Sequence, residues 1–429
     1  MASGNKLTVY ILIALVLGVI AGLSINQWVP NPAGVVEHFS LVTTLFLRLI
    51  KMIIAPLVFS TLVVGIAKMG DVAVVGRVGL KAMVWFVSAS LVSLTLGLLL
   101  VNFFQPGASL NIPLPDANAQ SGIVATGMSL AEFINHLVPT SIVDGMARNE
   151  ILQIVVFSVF FGVGCSAVGE KARVLVDAIE GLSYVMLRVT MLVMWFAPIA
   201  VFAAVSAALA KSGVDLILTY LVFMAEFYLG ILLLWMLLFA AAWAMLGKRA
   251  IGLFRAVREP TLLAFATASS EAAYPKTLAQ LEKFGCSNRV ASFVLPLGYS
   301  FNLDGSMMYC TFAVLFIAQA YGIELSAGQQ LTMLLILMVT SKGMAGVPRA
   351  SLVVIAATLS QFNIPEAGLL LLLGIDHFLD MARSATNVIG NSVAAAAVSA
   401  WDGQLRSEEE VNADLARAVG DADTPGAST

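Results

Sequence analysis

The chain has 429 residues, of which 59% are hydrophobic and only 11% are charged, and its mean hydropathy is +0.93. Because a soluble domain averages about 25% charged residues, this composition excludes a soluble globular protein and indicates an integral membrane protein. The net charge of −3, the lack of a basic cluster and the scattered cysteines and histidines argue against a nucleic-acid partner, a disulfide framework and a metalloenzyme.

Apolar segments long enough to cross a bilayer as helices recur along the chain, which predicts an all-α polytopic protein. Eight of them lie at about 8–28, 39–67, 78–104, 149–168, 176–209, 214–246, 290–320 and 366–400. Two further stretches, at about 254–286 and 327–362, are apolar but are interrupted in the middle by small and polar residues.

The basic residues of the loops fix the predicted orientation. Lysines and arginines are concentrated in every second connection, near 68–81, 171–173, 248–258 and 283–289. With positively charged loops inside, both termini are expected to be cytoplasmic. The alternation holds only if each interrupted stretch enters and leaves on one side, so the sequence predicts two re-entrant helical hairpins. The tail from Trp401 onward is polar and acidic and is expected to be partly disordered.

The two interrupted stretches carry related tips. TASSEAAYP (267–275) and TSKGMAGVP (340–348) share Thr, Ala and Pro at positions one, six and nine. Each is followed by a span with an Asn-x-x-Gly-polar pentad, NLDGS (302–306) or NVIGN (387–391), which is expected to break its helix. Together with the opposite entry sides, this similarity predicts inverted repeats. Inverted repeats with broken helices are how many secondary transporters build a binding site at the membrane midplane.

The last apolar segment carries charges that a bilayer disfavours. Helical spacing places six polar residues on one face, namely Asp376, Asp380, Arg383, Ser384, Asn387 and Asn391. Arg383 offers a bidentate fork to a carboxylate, and Asp380 accepts an ammonium group, so an acidic amino acid satisfies both. The alternative is a structural Asp380–Arg383 ion pair that fastens two helices. A second substrate carboxylate is expected at the hairpin tips, near Ser269, Ser270 and Gly346.

A second polar group lies in the broken span. Asp304 with Asn302 suits an alkali cation or a proton, and a protonated structural Asp is the alternative. Glu271 at the first tip is a candidate for gating or proton coupling, although a hairpin cap explains it equally well. Arg349, beyond the second tip, either adds positive potential to the anion path or reaches the interface as a snorkelling side chain.

The motifs SSEAAYP, GYSFNLDGSMMY, SKGMAGVP and DMARSATNVIGN resemble the dicarboxylate/amino acid:cation symporter family, which includes the glutamate and aspartate transporters. The resemblance implies eight transmembrane helices plus two re-entrant hairpins with inverted repeats, a homotrimer and an elevator-type mechanism in the bacterial inner membrane. It divides the chain into scaffold helices at 1–75, a transport helix at 76–105, an extracellular loop and scaffold helices at 106–212, a transport helix at 213–247, a transport core at 248–400 and an acidic tail at 401–429.

The family's substrate contacts match positions of this sequence. The family's binder of the side-chain carboxylate matches Arg383, and its binder of the amino group matches Asp380. Its further substrate contacts match Ser384, Asn387, Ser270 and Val347, while Asn302 and Asp304 match cation-site residues. Asp380 favours aspartate or glutamate, because members that carry C4-dicarboxylates often have no carboxylate there.

The chain departs from the sodium-coupled pattern at several cation-site positions. Asn391 stands where such members have Asp, and helix 3 offers Ser90 beside Phe86 and Ala89. The second tip has Ser341 followed by Lys342. These changes favour coupling to protons, or to fewer sodium ions. No other cofactor is expected.

The sequence therefore predicts a symporter for L-aspartate or L-glutamate driven by H⁺ or Na⁺. The alternatives are a C4-dicarboxylate symporter for succinate, fumarate or malate, and an anion channel lined by Arg383 and Arg349. An intramembrane enzyme is not expected, because the sequence contains no H-E-x-x-H or G-x-S-x-G motif and no histidine placed to serve the tip serines.

Overall fold

The computed structural model of the protein describes residues 2–67, 72–108, 114–115, 138–341, 350–373, 375–407 and 409–411. Within these ranges the chain is helical and contains no β-strand; one isolated antiparallel bridge joins Cys286 and Leu405. The predicted all-α fold is confirmed over this part of the chain.

The helices of the N-terminal half are α1 Ala2–Trp28, α2 Ala33–Ala67, α3 Val72–Phe104, α4 Ile142–Ala147, α5 Ile151–Val168, α6 Arg173–Met194, α7 Ala197–Thr219 and α8 Leu221–Leu246. Those of the C-terminal half are α9 Arg249–Thr267, α10 Ser270–Phe284, α11 Asn288–Phe301, α12 Asp304–Ala320, α13 Ala327–Thr340, α14 Ala350–Gln361, α15 Leu369–Leu373 and α16 Asp376–Trp401. Short 3₁₀ helices at Gly169–Ala172 and Glu366–Gly368 precede α6 and α15.

Several of these helices are apolar and long, as a polytopic membrane protein requires. Six helical stretches in the described part of the chain are long and apolar enough to cross a membrane, namely Val9–Trp28, Ala33–Ala67, Val74–Phe104, Gln153–Met194, Leu221–Leu246 and Asn288–Ala320. The fourth runs through α5, a 3₁₀ helix and α6. Helix α16, which carries the polar residues, is not among these six.

Helix α16 lies at the centre of the packing. It contacts α3, α8, α9, α10, α11 and α12, and its residues from Leu379 to Ser399 are buried all round. Small side chains such as Ala394 to Ala397 let the neighbouring backbones approach closely, which suits helix packing in a bilayer. A second group forms around α2, which packs on α5, α6 and α7, while α1 runs along α7. Helix α2 also contacts α10 and α11 and so joins the two groups.

Helices α9 and α10 form a helical hairpin at the first predicted tip. They pack on each other and are joined by a short turn at Ala268, which adopts the left-handed conformation with φ of +49°. The Ser269 side chain accepts a hydrogen bond from the Ala272 N–H at 3.3 Å, which satisfies one of the unpaired donors at the start of α10. Helices α13 and α14 also pack on each other. The segment that joins them, with Gly346, Val347, Lys342 and Arg349, lies outside the described residues.

The two related pentads behave differently. Helix α11 ends at Phe301 and α12 begins at Asp304, so the break predicted at NLDGS is confirmed. The break predicted at NVIGN is wrong, because α16 runs without interruption through Asn387 and Asn391. An Asn side chain interrupts a helix when it bonds the nearby backbone. Here both amides bond to other helices, so the α16 backbone keeps its own hydrogen bonds.

Candidate functional site

The site is built where α16 passes the start of α12. Asn387 Oδ1 accepts hydrogen bonds from the N–H groups of Gly305 at 3.0 Å and Ser306 at 3.3 Å, and its Nδ2 donates to Ser306 Oγ at 3.1 Å. The first N–H groups of a helix have no partner within the helix. Asn387 therefore caps α12 from a neighbouring helix and fixes the distance between α12 and α16.

Asp380 and Arg383 contact each other on α16. Arg383 Nε donates to Asp380 Oδ1 at 2.9 Å, Nη2 donates to the same oxygen, and Ser384 Oγ donates to it at 3.3 Å. The side chains of Arg383 and Asp380 are only 3% and 1% exposed. The Asp380–Arg383 ion pair considered from the sequence is therefore present, and both partners lie on one helix. Arg383 Nη1 is nevertheless buried with no hydrogen-bond partner among the described residues, so the guanidinium keeps a donor for a further acceptor.

Tyr309 on α12 holds this pair in place and was missed by the sequence analysis. Its ring centroid lies 5.4 Å from the Arg383 guanidinium carbon, which is within the range of a cation–π interaction. Its hydroxyl donates to Asp376 Oδ1 at 2.9 Å. Tyr309 thus connects the first and third charged residues of α16, and all of these groups are buried.

Asp304 is surrounded by oxygen and amide groups. Its Oδ1 accepts from Ser93 Oγ at 3.3 Å and its Oδ2 from Asn302 Nδ2 at 3.2 Å. The Asn302 amide also donates to Asn391 Oδ1 at 3.3 Å. Asn302 Oδ1 is buried with no hydrogen-bond partner among the described residues. Carboxylate, amide and hydroxyl oxygens are the ligands of hard cations, so this donor set fits Na⁺, and the buried carboxyl group alternatively holds a proton.

Glycines allow this close packing. A Cβ atom on Gly390 would overlap Asp304 Oδ2, and one on Gly298 would overlap Asn391 Oδ1. The glycine of each helix therefore lets a polar side chain of another helix approach its backbone.

Three predicted cation-site residues have other surroundings. Ser90 Oγ donates to the Phe301 carbonyl at 3.5 Å, and Ser93, one turn further along α3, donates to Asp304. Ser341 donates to Met307 Sδ at 3.0 Å. Glu271 is 6% exposed and lines a small apolar space with Tyr274 of α10, facing α2 and α11.

The predicted substrate contacts at the tips are described only for the first hairpin. Ser269 and Ser270 are 2% and 0% exposed, and both α9 and α10 pack on α16. Gly346 and Val347 lie outside the described residues. The sequence-predicted residues of α16 and of the NLDGS break are thus brought together, and Ser269 and Ser270 lie in a hairpin whose arms pack on α16.

Helix α8 also positions α16. Trp235 Nε1 donates to Thr386 Oγ1 at 2.8 Å, and Tyr228 donates through its hydroxyl to the Phe378 carbonyl at 2.7 Å. Neither donor was identified from the sequence, because the residues around an aromatic side chain in an apolar segment do not indicate its hydrogen-bond partner.

The end of α16 is anchored to α3. Asp402 accepts from Arg77 Nε at 2.7 Å and from Lys81 Nζ at 2.8 Å. The hydrogen bond from Arg77, followed by that from Lys81, holds the pKa of the Asp402 carboxyl below its ordinary value. The base of α3 and the site helix are thereby tied together.

Long apolar helices around a buried acid–base pair and an oxygen-rich group at Asp304 define a polytopic membrane protein with charged groups in its interior. The chain belongs to the sodium:dicarboxylate symporter family, whose model matches residues 7–401. It is 40% identical over 404 residues to a proton/sodium-glutamate symport protein of Bacillus caldotenax, which covers 93% of this chain and 95% of that protein. It is 38% identical over 402 residues to a C4-dicarboxylate transport protein of Agrobacterium fabrum (92% and 89% coverage). Another C4-dicarboxylate transport protein, from Rhizobium johnstonii, is 41% identical over 380 residues (87% and 84% coverage).

Proposed function

We propose that this protein is a secondary active symporter that takes up L-aspartate or L-glutamate together with H⁺ or Na⁺. The observation that carries the proposal is the buried contact between Asp380 and Arg383 on the central helix. An acidic amino acid brings one ammonium and a side-chain carboxylate, so it replaces each partner of this pair with a group of the same charge. The name of the Bacillus caldotenax relative supports the same substrate class.

Charge balance favours this exchange over simple insertion of an anion. Separating a buried ion pair leaves two uncompensated charges, which costs several kcal/mol, on the order of 3–5 when one partner is removed. A zwitterion with an extra carboxylate compensates both: the ammonium binds Asp380 and the side-chain carboxylate binds Arg383. Arg383 Nη1 supplies the second arm of a bidentate contact.

The remaining substrate contacts in this proposal come from α16 and the hairpin tips. Ser384 and Asn387 lie one turn and two turns from Asp380 on the same face. Ser269, Ser270, Gly346 and Val347 provide the contacts for the second carboxylate, with help from the N-terminus of α10 for the first two.

The coupling ion binds near Asp304 in this proposal. Asn302, Asn391 and Ser93 complete the ligand set or stabilise a protonated carboxyl group. The other three residues predicted for cation binding or coupling contribute indirectly. Ser90 acts through the neighbouring backbone, Ser341 through the second hairpin and Glu271 through the interface with α2. The amide at Asn391 carries no charge, so fewer cations are needed to neutralise the site. Either H⁺ or Na⁺ serves as the coupling ion.

The family architecture completes the proposal. It comprises eight transmembrane helices, two re-entrant hairpins and a homotrimer in the bacterial inner membrane, with both termini in the cytoplasm. Scaffold and transport parts divide at the boundaries stated from the sequence, and the transport part moves as an elevator. The α9–α10 hairpin and the six apolar stretches support this arrangement.

A C4-dicarboxylate symporter is the second candidate. The relatives from Agrobacterium fabrum and Rhizobium johnstonii carry that name at identities similar to the glutamate symporter's. A dicarboxylate lacks the ammonium, so it leaves the Asp380 carboxylate without a cation from the substrate. Asp380 therefore favours the amino acid.

Uptake of labelled L-aspartate into proteoliposomes, under an imposed sodium or proton gradient, tests the proposal. Accumulation that glutamate blocks and succinate does not is the expected result. Equal competition by succinate supports the second candidate, and no accumulation under either gradient contradicts both.

Two variants test the residue roles. Arg383→Ala abolishes uptake of both substrate classes, whereas Asp380→Ser weakens amino acids far more than dicarboxylates. Thermal unfolding of each variant separates loss of binding from loss of fold, and Asp144→Asn, in an exposed pair, is the control. Equal losses for both substrate classes in Asp380→Ser contradict the ammonium contact.

A further inference from the structure

A nearly buried ion pair joins the two arms of the α9–α10 hairpin. Lys276 Nζ of α10 donates to Glu259 Oε1 of α9, and the two side chains are only 10% and 12% exposed. Both residues lie about two helical turns from the turn at Ala268. The pair therefore crosses the hairpin well below its tip.

Each arm carries a proline next to this pair. Pro260 follows Glu259 within α9, and Pro275 precedes Lys276 within α10. A proline inside a helix removes one backbone hydrogen bond and crowds the carbonyl of the preceding turn. Both arms are thus weakened at the same level, and the contact between Glu259 and Lys276 spans the hairpin there.

The energetics of a buried pair point to a role other than overall stability. The cost of removing two charges from water often exceeds their attraction, and well-packed apolar residues stabilise such a position at least as well. A charged pair instead holds one register, because it has a single partner and a directional contact. In this hairpin the charged contact lies where each arm carries a proline.

We infer that the Glu259–Lys276 pair is a latch that fixes the hairpin tip, residues 261–274, against α16. The tip carries Ser269 and Ser270, which are buried, and both arms pack on α16, the helix that carries the Asp380–Arg383 pair. The latch positions the tip serines for the substrate carboxylate, a role that rests on the proposed function. Glu259 and Lys276 are positioning residues and do not contact the substrate.

Hydrogen–deuterium exchange of the tip amides in the full-length protein tests the latch without any substrate. Glu259→Gln and Lys276→Gln speed exchange in residues 261–274 by about tenfold, because local opening there becomes easier. The charge-swapped double variant E259K/K276E restores the contact and the slow exchange. Arg148→Gln, which breaks an exposed pair, is the matched control and leaves tip exchange unchanged.

A neutral double variant separates the latch from the cost of an unpaired charge. E259Q/K276M leaves no buried ion, so it is expected to fold, yet it lacks the charged contact. The latch requires fast tip exchange in this variant also. Exchange as slow as in the wild type overturns the proposal, because the hairpin then holds its tip without the pair.

Transport kinetics give a second readout. A loosened tip must be ordered again on binding, so we expect KM for aspartate to rise about fivefold to tenfold in E259Q/K276M while kcat changes less than about twofold. Unchanged KM with a loosened tip overturns the positioning role. If the wild type itself accumulates no aspartate, the proposed function fails, whereas the exchange experiment still decides whether the latch exists.

Discussion

The carboxylate of Asp304 lies directly against the backbone of Gly390, where a Cβ atom would overlap its Oδ2. This contact makes Gly390→Ala a test of the proposed cation site around Asp304. The added methyl displaces the carboxylate from Asn302, since the α16 backbone is buried and has no room to move. Overpacking of this kind costs about 1–3 kcal/mol. We expect the dependence of uptake on sodium or proton concentration to shift by at least about tenfold, while the chain stays folded.

A second glycine provides the control for this change. Gly181, on α6, has no heavy atom within 4 Å of a Cβ position, so Gly181→Ala leaves cation dependence unaltered. Helix propensity even predicts a gain of up to about 1 kcal/mol in stability. Identical cation dependence in Gly390→Ala and the wild type contradicts a coupling site at Asp304.

Tyr309 combines two contacts that substitutions can separate. Tyr309→Phe keeps the ring over Arg383 and removes the hydroxyl that donates to Asp376. Losing a donor to a buried carboxylate costs about 1–3 kcal/mol, so we expect a lower unfolding temperature with substrate affinity largely retained. Tyr309→Leu also removes the ring, and we expect its affinity for aspartate to be about fivefold lower than that of Tyr309→Phe. Calorimetric titration with aspartate measures the affinity of each variant. Equal affinities in the two variants contradict a role for the ring.

Trp235 donates its indole N–H to Thr386 at 2.8 Å and thereby ties α8 to α16. Trp235→Phe leaves Thr386 without this donor, and we expect the free energy of unfolding to fall by about 1 kcal/mol. Trp243→Phe, on the same helix but with a side chain that is 43% exposed, is the matched control and changes stability little. Equal unfolding temperatures for both variants show that the indole N–H adds nothing to the packing of α16.

Hydropathy and local motifs predicted the coarse fold. Several apolar helices, the helical hairpin at TASSEAAYP and the helix break at NLDGS appear in the described structure, whereas the predicted span 176–209 is divided between α6 and α7. NVIGN fits the same pattern and leaves α16 intact. The difference lies in what each Asn side chain bonds, because Asn387 caps α12 and Asn391 accepts from Asn302. A single sequence does not show which distant helix will form a hydrogen bond with an Asn side chain.

The same limit applies to the site. Helical spacing was enough to place Asp380, Arg383 and Asn387 on one face of one helix. The contacts of Tyr309 with Asp376 and of Ser93 with Asp304 join residues 67 and 211 positions apart. Their detection requires the packing of α3, α12 and α16. A hydroxyl one turn beyond Ser90 on the same face was the only local signal for Ser93.

Asp402 ends the site helix and is paired with two cations of α3. Its carboxylate accepts from Arg77 and Lys81, and it is fully buried while the Arg77 side chain is 53% exposed. These hydrogen bonds lower the pKa of Asp402 from its ordinary value of 3.8. The carboxylate therefore stabilises the folded state above that value, and this stabilisation disappears as the pH falls through the lower pKa of the folded state.

Asp402→Asn removes the titrating group and should make this contribution visible. We expect its unfolding temperature in detergent to lie below that of the wild type near about pH 7, and the gap to close as the pH falls towards about 3. Asp144→Asn, in an exposed pair with Arg148, is the control and should show a small gap at every pH. A gap between Asp402→Asn and the wild type that stays constant over this range contradicts the stabilising role of the charged carboxylate. A gap that closes on acidification shows that the anchor of α16 on α3 is electrostatic.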